Sequence, residues 1–130
     1  DSKTGLILFS KNFSPIIKPF INNDYLFLIS KNNLIISINL KNNKIIYSYD
    51  INQKIADFLN TKKKEVKFKS IFIANKKILI FLKNSFVLNF GVRGELKSIK
   101  KLPTKIKTNP IFIEGSVLYL DQKNRVSIVN

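Results

Sequence analysis

The chain has 130 residues, 23 of them basic and eight acidic, for a formal net charge of +15. That is one domain's length, enough to bury a core without covalent staples. Cysteine and histidine are both absent, which excludes disulfides, thiolate and imidazole metal ligands, a cysteine nucleophile and the commonest general base, leaving only oxygen donors for a metal.

The first residues, 1–14, begin without methionine and read as the end of a structural unit, which leaves room for a leader or anchor upstream. Apolar blocks at 25–29, 34–40 and 44–51 follow, separated by Ser30-Lys31-Asn32-Asn33 and Lys41-Asn42-Asn43. Asparagine tolerates the left-handed backbone of tight turns, so these blocks read as consecutive antiparallel strands. Between 51 and 66 the period changes. Ile51, Ile55, Phe58 and Leu59 fall at helical spacing and Lys62, Lys63 and Lys64 follow, which predicts an amphipathic helix near 52–63, capped by Asp50 or Asn52. Such a face packs on its own domain more often than on a partner. Further on, Ile71-Phe72-Ile73 and Ile78-Leu79-Ile80-Phe81-Leu82 are apolar in both phases. A strand wet on one face would alternate, so these strands are expected inside sheets stacked face to face.

Internal repetition supplies the architecture. The segment from Phe20 to Leu28 with Lys31-Asn32-Asn33 matches Phe72 to Ile80 with Lys83-Asn84-Ser85 at an offset of 52, and Phe112 to Leu120 with Lys123-Asn124-Arg125 at a further 40. Lys3-Thr4-Gly5 through Ser10 matches Lys41-Asn42-Asn43 through Ser48 at an offset of 38. A period near 40 residues with four strands per unit is blade-like, and the longer offset implies about a dozen inserted residues at the helix. The expected fold is therefore all-β: a β-propeller fragment of about three four-stranded antiparallel blades in one partial domain. Its segments are the end of a blade (1–14), a blade (15–51), the helical insert (52–66), a blade (67–102) and an incomplete blade (103–130).

The run from Lys31 to Tyr49, with Asp1, Lys3-Thr4-Gly5, Phe9, Asn39, Lys41-Asn42-Asn43 and Tyr47, resembles the PQQ-like repeat of β-propellers. The tryptophan that docks between blades in that family is replaced here by Phe9, Tyr47 and, in the next copy, Ser98. The resemblance implies one of two roles. One branch of the family consists of quinone-dependent dehydrogenases; the other consists of non-catalytic scaffolds, such as the BamB-like lipoproteins of outer-membrane protein assembly. The second is the closer in style, and implies protein partners, no cofactor and a periplasmic location, with any outer-membrane anchor outside this chain.

The residues themselves name no catalytic, cofactor-binding or metal-binding site. The acidic residues Asp1, Asp24, Asp50, Asp57, Glu65, Glu95, Glu114 and Asp121 fall at expected turns and strand ends, with no pair spaced for acid–base work or a calcium loop. Asp121-Gln122-Lys123-Asn124 reads as a hairpin turn, and Gly91-Val92-Arg93-Gly94, despite its G-x-x-G spacing, as a turn whose glycines supply positive φ. Lys67-Phe68-Lys69 reads as a half-buried strand in preference to a base-stacking platform. The charge motivates an alternative class, a nucleic-acid or polyanion binder. Against it, 21 of the 23 basic residues are lysine, accompanied by 21 isoleucines and 16 asparagines. All three have A- and T-rich codons, and only Arg93 and Arg125 offer the guanidinium fork. No apolar run is long enough to span a membrane as a helix.

Overall fold

The computed structural model describes residues 17–108, 110–114 and 116–129. The expected end of a blade at 1–14, with its Lys3-Thr4-Gly5 turn, lies outside them. Strands β1 (Phe20–Asn22), β2 (Tyr25–Ile29), β3 (Leu34–Asn39) and β4 (Lys44–Asp50) form an antiparallel meander. Helix α1 (Ile51–Leu59) leads to a second meander, β5 (Phe68–Ala74), β6 (Lys77–Leu82), β7 (Phe86–Gly91) and β8 (Leu96–Lys101). A three-stranded sheet, β9 (Ile111–Ile113), β10 (Ser116–Leu120) and β11 (Val126–Val129), completes the described chain. The all-β expectation holds, with one inserted helix.

Asparagine makes the turns. Asn23, Asn33, Asn43 and Asn75 adopt φ between 51° and 59°, a region that penalises most side chains. The carboxamides of Asn39, Asn42 and Asn84 accept hydrogen bonds from the backbone N–H two residues on, at 2.9, 3.1 and 3.3 Å. Whatever codon usage contributes, these residues terminate strands.

The second sheet is covered on both faces. Ile71, Ile73, Ile78, Ile80, Leu82, Leu88 and Phe90 join Phe27, Ile29, Ile35, Tyr47 and Ile51 of the first sheet and its helix in one core. Phe81 and Val87, from the opposite face, meet Val117 and Tyr119 of the third sheet, with Leu102 and Ile106. The two-phase hydrophobicity of 71–73 and 78–82 is thus explained by stacking. Leu28, Ile36 and Ile38 form a third cluster on the far face of the first sheet.

The third copy of the repeat is offset by 39 residues instead of the expected 40. Asn33, Ser85 and Asn124 occupy equivalent positions: each has positive φ, and each donates its N–H to the carbonyl three residues back, on Ser30, Leu82 and Asp121. The one-residue difference reverses the faces. Val117 and Tyr119, not Leu118 and Leu120, pack toward the second sheet. Ser116 to Leu120 is apolar in both phases at its centre, so sequence alignment alone could not choose the register.

Helix α1 starts one residue before the expected 52 and ends at Leu59 instead of 63. Asp50 is the cap, accepting from Gln53 N–H at 3.2 Å, and Asn60 at φ 53° stops the helix. Lys62 to Lys64 lie beyond it, so they do not complement its dipole; Lys63 instead turns back to pair with Asp50 at the other end. The buried face is Ile51, Asn52 and Ala56, with Ile55 partly covered, while Phe58 and Leu59 are exposed. The apolar spacing identified the helix but overestimated its buried face. Asn52 accepts a hydrogen bond from Val66 N–H at 3.1 Å, which closes the insert at its base.

Ile80 is fully buried between the sheets, whereas Ile111 is 54% exposed. Ile80→Ala is expected to cost about 2–5 kcal/mol and Ile111→Ala less than about 0.5 kcal/mol, measured by urea denaturation of the full chain.

Candidate functional site

A groove of about 510 Å³ lies between the face of the first sheet and the β5–β6 and β7–β8 turns of the second. Its floor is Phe27, Ser37 and Tyr47, from β2, β3 and β4; its rim carries Tyr25, Ile46 and Tyr49; and Lys76, Val92 and Arg93 overhang it from the β5–β6 and β7–β8 turns. The residues are brought together by the alternation of β2 and β4, which sends Tyr25 and Phe27, and Tyr47 and Tyr49, to one face. Tyr47 and Tyr49 stack, with ring centroids 5.1 Å apart and planes 16° from parallel. Lys54 of the helix places its ammonium 4.2 Å from the centre of the Tyr49 ring.

Tyr47 occupies the position of the docking aromatic expected from the repeat. Its hydroxyl is buried without a well-formed hydrogen bond, and the Ser37 hydroxyl on the facing strand gives only partial relief. Burial, then the nearby Glu95 carboxylate and Tyr49, push its ionisation well above the ordinary phenol range. Gly94 is the seat for the stack. It has φ 91°, and a methyl group there would lie 2.4 Å from Tyr49 Cε2 and 3.2 Å from Tyr47 Cε1. The G-x-x-G segment is therefore a turn, closed by Gly94 N–H donating to the Gly91 carbonyl at 2.9 Å. Only Gly94 of its two glycines uses positive φ; its lack of a side chain also admits the aromatic pair. Sequence reasoning found Gly94 and Tyr47 separately but not their contact, nor the groove.

The remaining motifs serve the scaffold. Phe68 is buried in the core, and Lys69 reaches the Ile106 carbonyl at 3.4 Å, so Lys67-Phe68-Lys69 presents no aromatic platform. Asp121 is fully buried and its carboxylate binds the N–H groups of Lys123 and Arg125 at 2.8 and 2.9 Å and Arg125 Nε at 3.0 Å. The Arg125 N–H, followed by that of Lys123 and the guanidinium, holds this carboxyl below its usual range against the cost of burial. Asp24 pairs with Lys41, Asp50 caps the helix, and Asp57 accepts from Gln53. Among the described residues no three carboxylates gather as a metal site, and no helix is long and apolar enough to cross a membrane.

Four-stranded antiparallel meanders, consecutive in sequence and packed face to face, define the class: these are successive blades of a β-propeller. Comparison with solved structures agrees. BamB from Moraxella catarrhalis matches 98% of the chain with a TM-score of 0.75 at 15% identity. The quinohemoprotein alcohol dehydrogenase from Comamonas testosteroni matches 84% of it with a TM-score of 0.53 at 11% identity. The chain spans 36% of the first of these proteins and 17% of the second. Both are consistent with the PQQ-like propeller repeat read from the sequence, and at these identities the likeness is one of fold. No protein family and no curated protein matches the chain in sequence.

Gly94→Ala is expected to lower stability by about 1–2 kcal/mol from backbone strain, with the ring contact added, and to be detected as a lower thermal midpoint with altered tyrosine near-ultraviolet dichroism. The raised ionisation of Tyr47 has a defined sign. Its contribution to stability is fully present below about pH 10, the value for an unfolded phenol, and is lost as pH rises from there toward the folded value. Urea melts at pH 9 and pH 11 should show alkaline destabilisation in the parent chain and a smaller loss in Tyr47→Phe.

Proposed function

We propose that this chain is part of a non-catalytic propeller scaffold that binds other proteins, with a role similar to that of BamB-like proteins in outer-membrane protein assembly in the bacterial periplasm. The observation that carries this reading is the match to BamB over nearly the whole chain. The chemistry is compatible with it. The sequence contains no histidine or cysteine, and Asp24, Asp50, Asp57 and Asp121 are engaged in turns, caps and ion pairs. A rigid stack of sheets with variable connecting turns suits recognition, since the turns can change without disturbing the core.

The test is recovery of partners from a bacterial envelope extract with the full-length protein. Components of the outer-membrane barrel-assembly machinery are expected in the eluate, and their absence would count against the assembly role. Isolation of a bound quinone from the same full-length protein would move the reading to the dehydrogenase branch.

A further inference from the structure

The groove between the first two sheets has three properties that together specify an occupant. Its charge is unmatched. Lys76 and Arg93 are exposed and form no ion pair among the described residues, and no carboxylate lines the groove. The neighbouring acids are already engaged, Glu95 by Lys97 at 3.7 Å and Asp24 by Lys41 at 3.3 Å. A ligand carboxylate would therefore meet two free cations, one with the planar fork that suits it.

The second property is an exposed apolar mouth. Tyr25, Ile46, Tyr49 and Val92 are 40%, 49%, 36% and 43% exposed and all line one groove. Isolated exposed apolar residues need no explanation, but four around a cavity of about 510 Å³ do. Tyrosine-rich surfaces of this kind supply contact area at low entropic cost.

Third, the groove runs beside a sheet edge that is unpaired among the described residues. β4 is the outermost strand of its sheet and, among the described residues, pairs only with β3, so alternate N–H and C=O groups face outward along Tyr47–Asp50, beyond the register shift at Ile46. The same strand contributes Ile46, Tyr47 and Tyr49 to the groove. Main-chain pairing at an edge combined with a side-chain pocket is the arrangement by which extended peptides are recognised.

We propose that this groove and the β4 edge bind an extended peptide segment that places an aromatic or aliphatic side chain and an acidic side chain, two residues apart, between the tyrosines and the Lys76–Arg93 pair. The inference rests on the protein-binding reading and specifies its partner's chemistry. A nucleic-acid strand is the less suited occupant. It would require a row of cations along its phosphates, whereas the groove offers two, and Phe68, the aromatic set among lysines, is buried.

The probe is a fluorophore-labelled, end-blocked heptapeptide of sequence Ser-Phe-Ser-Asp-Ser-Phe-Ser, titrated by fluorescence anisotropy at physiological salt. A version with lysine replacing the aspartate, and unlabelled oligothymidylate as competitor, complete the set. The parent chain is expected to bind the acidic peptide at least tenfold more tightly than the lysine version. Lys76→Glu with Arg93→Glu should weaken binding at least tenfold. Lys100→Glu with Lys101→Glu makes the same change in net charge at β8 and should leave it within twofold. Thermal melts verify that both doubles fold, and Tyr25→Ser, a single exposed change, gives an independent loss if either double does not. Equal losses in both doubles, equal binding of the two peptides, or displacement of the peptide by the oligonucleotide would overturn the assignment. Partner recovery unaffected by Lys76→Glu with Arg93→Glu would sink the groove while leaving the scaffold role intact. Peptide binding without any recovered partner would do the reverse.

Discussion

Ile78, Ile80 and Leu82 leave β6 on one side while Leu79 and Phe81 leave it on the other, and both sets are covered by a neighbouring sheet. A fully buried aliphatic or aromatic side chain contributes about 1.5–3 kcal/mol, and fixing a residue's backbone costs about 1–2 kcal/mol. A strand that buries only alternate residues gains little over that cost. Two-sided burial nearly doubles the gain per residue, so the second sheet holds the flanking sheets together.

The two interfaces it makes are not alike. Ser37 and Tyr47 face each other across β3 and β4, and the aromatic ring fills the space against the second sheet. At the equivalent place on the second sheet stand Asn89 and Ser98, paired across β7 and β8. Neither fills that volume, and a cavity of about 280 Å³ opens there beside Leu102, Pro103 and Ile128, with Asn89 Oδ1 left without a partner. Repetition of the fold therefore does not mean repetition of the packing. The aromatic seat at Gly94 gives the first interface a directional contact that the second lacks.

The strands, their antiparallel order, the inserted helix and the need for stacking were legible because each has a local signature: asparagine-bounded blocks, apolar residues in both phases, and helical spacing at Ile51 and Ile55. What failed to show was whatever depends on a choice between nearly equal local patterns. Val117 and Leu118 are both apolar, so the direction in which β10 faces is settled by the turn at Asn124 and not by hydrophobicity. Phe58 and Leu59 have the spacing of a buried face, but their helix is short and its packed side is Ile51, Asn52, Ile55 and Ala56. The groove was invisible for a different reason. Tyr25, Tyr49, Lys76 and Arg93 come from positions far apart in the chain, and only the packing of the second sheet's turns beside the first sheet brings them to one place. The lysine-rich composition concealed which cations border the groove.

The Asn52 carboxamide, bonded to Val66 N–H, closes the insert where it leaves and rejoins the blades. Residues 57–65, between the buried Ala56 and the half-buried Val66, are all exposed, so the length of that stretch is uncoupled from the spacing of the sheets. Doubling a flexible loop costs only about 0.6 kcal/mol in closure entropy. The segment is thus where the repeat can acquire or shed material over evolutionary time without retuning the stack, and the exposed Phe58 and Leu59 sit on the part most free to diverge.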